Sequence, residues 1–171
     1  DDVCASDLCY KAAKQLMEDN NIAPDSIDVL LFMSQTSDYR IPATAPILQN
    51  RLGLSKDTCC LDLSLGCSGF VFALSTAFAY ASMEGVNRVL LLDGETFSKI
   101  CNKRDKVDWP LYGDGATATL IEKGIFEEST FILKSDGSGA NAVIIPGGGM
   151  RNPVTTDSLV ETAREEGNVR N

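Results

Sequence analysis

Apolar and polar positions alternate between two periods along the chain. Over residues 5–19, Leu8, Ala12 and Leu16 recur at helical spacing among Lys and Glu, which predicts an amphipathic helix. Ser6 or Asp7 would cap its start, and Asn20-Asn21 would end it. Residues 28–34, DVLLFMS, form a short, almost unbroken apolar run after a polar turn at Pro24-Asp25-Ser26. Such a run fits a strand covered on both faces, as in a parallel sheet. A short helix is predicted over 44–53, stopped by Gly53. A second strand is expected at 59–65, then a helix over 68–84 that is apolar on every side and so expected to be buried. Strands at 88–93, 115–122 and 130–135 follow, with a weaker one at 142–145. Strands alternating with helices predict an α/β layered domain. No internal repeat is visible. Residues 150–171 are polar and charged and read as a surface excursion, with Ser158-Leu-Val-Glu161 matching a capping box.

Composition narrows the functional classes. With 171 residues the chain can bury a core of its own, and 44% hydrophobic with 23% charged residues is ordinary for a globular protein. A net charge of -9 argues against nucleic acid and against an anionic membrane surface as partners. No apolar run reaches the ~18 residues of a membrane-spanning helix. The six cysteines, Cys4, Cys9, Cys59, Cys60, Cys67 and Cys101, form no C-x-x-C pair, and the chain has no histidine. No metal site is therefore expected, and a disulfide framework is not expected either. A reducing cytoplasm is the simplest compartment.

The sharpest local feature is Leu63-Ser64-Leu65-Gly66-Cys67-Ser68-Gly69-Phe70. A buried strand ends, a glycine permits a tight turn, and a cysteine opens an apolar helix. A cysteine there faces the positive end of the helix dipole and unpaired backbone N–H groups, which favour the thiolate that a nucleophile needs. The same N–H groups could stabilise the oxyanion of a tetrahedral intermediate, and Gly69 would leave room for a thioester. The plain alternative is a small core hydrophobe. The other five cysteines read as structural. Asp114, between two glycines, reads as a turn residue. The run Pro146-Gly147-Gly148-Gly149 lacks the Gly-Lys-Ser/Thr ending of a phosphate loop and reads as a flexible loop.

Gly66-Cys67-Ser68-Gly69-Phe70 resembles the nucleophile motif of the β-ketoacyl-acyl-carrier-protein synthase III family, in the thiolase superfamily. Gly113-Asp114-Gly115-Ala116 resembles the family's G-D-G-A segment, and Asp136-Gly137-Ser138 with Pro146-Gly147-Gly148 resembles the segment that follows. Residues 5–54, including Pro42, resemble the run before the nucleophile. The resemblance implies a thiolase-like layered α/β fold, here the incomplete first half of an architecture of two similar halves. Residues 1–171 would be a single N-terminal domain, with 150–171 a polar loop leading toward a second half. The implied activity is acyl transfer from a coenzyme A thioester to Cys67, followed by Claisen condensation with malonyl-ACP. No cofactor is implied; the coenzyme A thioester is a substrate.

The family's catalytic set is a Cys from the first half and a His and an Asn from the second. A chain without histidine should not condense by itself, because it has no imidazole to stabilise the enolate. The partners implied are acyl-CoA, malonyl-ACP, a second copy in a homodimer, and a second half or separate partner chain. By the resemblance, Gly66, Ser68 and Gly69 give oxyanion and backbone support, and Phe70 and Ile41 line the acyl pocket. Ile41 stands just before Pro42, which favours extended backbone, and would reach across a dimer. Lys106 falls where family members carry an Arg against the coenzyme A nucleotide; it keeps the charge but loses the bidentate fork. The strand at 88–93, short and apolar, is expected to pair with its own copy. Two other readings stay open: a catalytically silent thiolase-fold subunit, and a related starter-condensing enzyme of polyketide or hydroxymethylglutaryl type.

Overall fold

A computed structural model describes residues 2–124, 129–163 and 169–170. The chain divides into two compact units, residues 1–97 with 113–131, and residues 98–112 with 132–171. The first unit holds α1 (Ala5–Asp19), β1 (Val29–Met33), α2 (Thr44–Leu52), β2 (Cys59–Leu63), α3 (Gly69–Ala81), β3 (Arg88–Glu95) and β4 (Gly115–Glu122). The second holds 3-10 turns at Gly137–Gly139 and Asp157–Leu159 and a two-residue ladder of β5 (Thr162–Ala163) with β6 (Val169–Arg170). That ladder lies in the stretch read from sequence as a polar loop.

The sheet of the first unit runs β2-β1-β3-β4. β1 is parallel to both β2 and β3, and β3 is antiparallel to β4. Side-chain alternation divides the apolar runs between two faces. Leu30, Phe32, Leu90 and Leu92 pack with Ala5, Cys9, Ala13 and Met17 of α1 and with Ala45 and Leu48 of α2. Val29, Leu31, Met33, Val89 and Leu91 pack on Ala73 and Ala77 of α3. The result is the α/β/α layering expected from the sequence.

The buried stripe of α1 differs from the predicted one. It is Ala5, Cys9, Ala13 and Met17, while Leu8, Ala12 and Leu16 sit at its flanks, half-buried. Small side chains on the inner face let the helix approach the sheet closely. Gly94 of β3 completes that approach: a Cβ there would lie 2.5 Å from Cys9 Sγ and 3.1 Å from Ala116 Cβ. Replacing Gly94 by Ala is expected to cost about 1–3 kcal/mol by overpacking. Urea unfolding tests this, and an unchanged midpoint would refute the packing role. The helix spans 5–19 as predicted, but neither Ser6 nor Asp7 is its cap. Cys4 is the N-cap residue, and its N–H donates to the Asp7 carboxylate at 2.9 Å. Ser6 is buried and instead donates its hydroxyl to Asp38 at 2.6 Å.

Several other expectations are corrected. α3 is apolar all round, yet only Gly69, Ala73 and Ala77 are buried, while Phe70, Val71 and Phe78 are exposed. The sheet covers one side of it, at Ala73 and Ala77. β3 is no edge: it forms full ladders with both β1 and β4, so it cannot take a copy of itself. Among the described residues, the outer flanks of β2 and β4 are the ones without a ladder partner. The strands expected at 130–135 and 142–145 are not formed. Ile132 and Val143 are 81% and 87% exposed, and no neighbouring strand supplies their backbone hydrogen bonds.

Asp114 runs straight into β4, because the ladder extends to Glu95↔Gly115 and draws the glycine into the sheet. Ser158 does not open a capping box with Glu161. It is itself the third residue of a reciprocal cap, accepting from Thr155 N–H at 3.0 Å and donating its own N–H to Thr155 Oγ1 at 3.3 Å. Glu161 pairs with Arg104. The Pro146–Gly149 loop is closed by Asn152, whose carbonyl accepts from Gly148 N–H at 2.8 Å, and Gly148 takes φ +85°, a conformation that favours glycine.

Candidate functional site

β2 and β1 finish level, in the register Met33↔Leu63, and Ser34 N–H donates to Leu63 carbonyl at 3.0 Å. The connections that leave these two strands therefore start side by side at one end of the sheet. One of them, residues 64–68, carries Cys67. Gly69 N–H donates to the Gly66 carbonyl at 2.7 Å, and Ser68 sits at φ −91°, ψ 0°. This is a β-turn whose central residues are Cys67 and Ser68, placed immediately before the first turn of α3. Cys67 is exposed on its tip. The Ser68 hydroxyl makes no cap hydrogen bond; the Ser68 carbonyl takes the Val71 and Phe72 N–H groups at 3.1 and 3.2 Å, and the positive end of the α3 dipole lies just after the cysteine.

The two glycines of the motif have roles that the sequence reading did not give them. Neither takes a positive φ. Gly69 is buried, and a Cβ there would lie 2.1 Å from Met33 Cε and 2.9 Å from its Sδ. The absence of a side chain admits Met33, not a thioester. Its N–H is already engaged with Gly66, so it is not a free oxyanion donor. At Gly66 a Cβ would lie 3.3 Å from Gln35 Oε1. The turn is thus flanked at its first residue by Gln35 and at its last by Met33, two residues apart on β1 and its extension.

Of the remaining site residues, Phe70 is half-exposed on the first turn of α3, at 37%. Ile41 lies in the β1–α2 connection, 88% exposed, before a cis bond to Pro42. The start of α2 beside it is held by Asp62 of β2, whose carboxylate accepts from Thr44 N–H at 2.6 Å and Ala45 N–H at 2.7 Å. Lys106 belongs to the second unit. It is exposed next to Asp105, a 4% exposed carboxylate that accepts from the Val107 and Asp108 N–H groups at 2.9 and 3.1 Å. No group of three metal-ligating side chains occurs among the described residues.

The other thiols contrast with Cys67. Cys9 is fully buried, and burial, with the carboxylates of Asp93, Asp38 and Glu95 adding to it, pushes its pKa up to about 12. Burial also raises Cys60, helped by Cys59 and Asp62. Cys59 is exposed at the other end of β2. Iodoacetamide at pH 8 is expected to label Cys67 and Cys59 and leave Cys9 unmodified; peptide mass mapping that finds Cys9 alkylated in the folded protein would contradict this.

A carboxylate cluster at the same end of the sheet was missed from the sequence. Glu95, the last residue of β3, accepts from Gln35 N–H at 2.7 Å and Thr36 Oγ1 at 2.5 Å, and from Ser34 Oγ at 3.3 Å. The available signal was a Glu after a glycine, just past the apolar run 89–92.

Residues 61–141 match the sequence profile of the family described as 3-oxoacyl-[acyl-carrier-protein (ACP)] synthase III. A β-ketoacyl-[acyl-carrier-protein] synthase III of Desulfitobacterium hafniense strain Y51 is 34% identical over 159 residues, 91% of this chain and 47% of the relative. One of Lactococcus lactis subsp. lactis is 38% identical over 141 residues, covering 81% and 43%. A crystal structure of a 3-oxoacyl-(acyl-carrier-protein) synthase III superposes with TM-score 0.93 at 37% identity, covering 98% of this chain and 50% of that one. The crystal structure of a 3-oxoacyl-(acyl-carrier protein) synthase from Burkholderia xenovorans LB400 gives TM-score 0.79 at 38% identity, covering 86% and 43%. The chain spans about half the length of the curated relatives it matches. In sequence and in fold, over nearly its whole length, it is similar to one half of 3-oxoacyl-[acyl-carrier-protein] synthase III proteins.

Proposed function

We propose that Cys67 accepts an acyl group from a coenzyme A thioester and that the full-length protein carrying this chain condenses it with malonyl-ACP. The observation that carries the reading is the exposed Cys67 on a turn at the N-terminus of α3, inside the segment that matches the family. Attack by the thiolate on the thioester carbonyl forms an acyl-enzyme thioester and releases coenzyme A as its thiol. The Ser68 N–H and the positive end of the α3 dipole would stabilise the developing oxyanion. Lys106 would supply charge to the nucleotide phosphates. The 171 residues contain no histidine, so the imidazole that the family uses for condensation is not among them. Incubation of the full-length protein with acetyl-CoA and hexanoyl-CoA, followed by peptide mass mapping, tests the first step. Acylation at another residue, or at none, would refute it.

Ile41 is proposed as a selectivity residue that reaches into the acyl pocket of a second copy. Its 88% exposure leaves it free to do so, and the interior position of β3 moves any strand-to-strand contact between copies to β2 or β4. Ile is smaller than Phe, and each additional buried methylene is worth ~0.8 kcal/mol, a few-fold in affinity. Ile41→Phe is therefore expected to shift the ratio of kcat/KM values toward acetyl-CoA and away from hexanoyl-CoA. An unmoved ratio, or a full-length protein that is strictly monomeric in light scattering, would remove this role.

A further inference from the structure

Both glycines that frame the Cys67 turn are filled from one short piece of chain, Met33 to Gln35. Met33 is locked in the core, 3% exposed, but Gln35 is exposed and lies beyond the end of β1. Its position has to be fixed by something other than burial. β3 supplies the fixing group. In the register Met33↔Asp93 it continues two residues past the end of β1, and its last residue, Glu95, comes alongside residues 34–36. One carboxylate oxygen takes Gln35 N–H and the other takes both hydroxyls, Ser34 and Thr36. Two further bonds close the cluster: Thr36 N–H donates to Ser34 Oγ at 3.0 Å and Thr96 N–H donates to Thr36 Oγ1 at 2.8 Å. Ser34 and Thr96 are 1% and 2% exposed, so the cluster is largely shielded from water. Farther along, Asp38 is tied to Ser6 through both of its oxygens. Between these two anchors the side chain of Gln35 occupies the space above Gly66, whose carbonyl closes the turn that presents Cys67.

We propose that Glu95 is a positioning residue for Cys67, acting through the Ser34–Thr36 segment and the side chain of Gln35. The proposal rests on the reading of Cys67 as acyl acceptor. Glu95 fixes the backbone at Gln35, Gln35 supports Gly66, and the Gly66–Gly69 turn holds the thiol where a bound thioester can meet it. Without the carboxylate the segment loses three bonds at once, and the turn keeps only the Met33 side of its support.

The test measures acylation of Cys67 by hexanoyl-CoA in the full-length protein, with protection of the buried Cys9 from iodoacetamide as an internal control of fold. Glu95→Ala and Gln35→Ala are each expected to lower the acylation rate at saturating thioester by about ten- to a hundredfold, the scale of an ångström of misplacement. The half-saturating concentration should stay near its original value, and Cys9 should stay unlabelled. The double variant should lose no more than the larger single loss, because both changes break one path. Glu95→Gln keeps an acceptor oxygen and should recover part of the rate. Unchanged acylation in the single variants, additive losses, a Glu95→Gln rate no better than that of Glu95→Ala, or labelling of Cys9 in step with the loss of acylation would each overturn the proposal. If Glu95→Ala does not fold, Gln35→Ala decides alone, since its side chain is exposed. If the original protein is not acylated at Cys67, the acyl-acceptor reading falls first and this proposal with it. Acylation that ignores Glu95 and Gln35 overturns only the positioning role.

Discussion

Cys67→Ser in the full-length protein is expected to lower condensation by roughly 10³-fold or more, the scale seen when a covalent nucleophile is removed. Serine retains the size of the side chain, so the turn and α3 should form as before. What is lost is the nucleophile: a serine hydroxyl has a far higher pKa than a thiol and holds its proton at neutral pH unless a neighbouring base takes it. The acyl-enzyme should disappear from the mass spectrum, while Cys59→Ser leaves it in place, because Cys59 lies at the opposite end of β2 from the turn. A Cys67→Ser protein that still forms acyl-enzyme would move the nucleophile elsewhere.

Phe32→Ala is expected to destabilise the protein by about 3–5 kcal/mol, the range for removing a large buried side chain. Phe32 is fully buried in the middle of β1, on the face covered by α1 and α2, where Leu30, Leu90, Leu92 and Leu48 surround it. Both neighbouring strands are pinned there, to Asp62 of β2 on one side and Leu92 of β3 on the other, so backbone collapse cannot close the cavity. Urea unfolding should show a lower midpoint with little change in slope. A loss below about 1 kcal/mol would mean that the site relaxes and that the strand is less constrained than the ladders indicate.

The sequence displayed the sheet better than it displayed the order of its strands. Residues 29–33 and 89–92 are unbroken apolar runs because both faces are covered, and that composition marks each as a strand without naming its neighbours. Reading the 88–93 run as an edge overlooked the contrast with Cys59–Leu63, which is shorter, half-exposed and interrupted by Asp62, as an outer strand would be. Residues 130–135 have strand composition but no ladder, because a strand exists only with a partner and no short window of sequence contains the partner. The turn at Cys67 was legible from the change of period on its two sides. The supports beneath it were not. Met33 and Gln35 meet Gly69 and Gly66 from more than thirty positions away, and Glu95 reaches Gln35 across sixty.

The flush register of β1, β2 and β3 sets where this chain can change length. A strand advances about 3.3 Å per residue, with side chains on alternate faces. Deleting one residue between Cys59 and Leu63 would therefore pull the Cys67 turn back by about that distance, exchange the two faces of β2, and carry Gly66 and Gly69 away from Gln35 and Met33. A deletion in the 53–58 connection or in 84–87 would be absorbed before the strands begin. Insertions and deletions among relatives of this chain should therefore collect in those two connections and be missing from residues 59–69, so that loop length drifts while the span from β2 to the cysteine stays fixed.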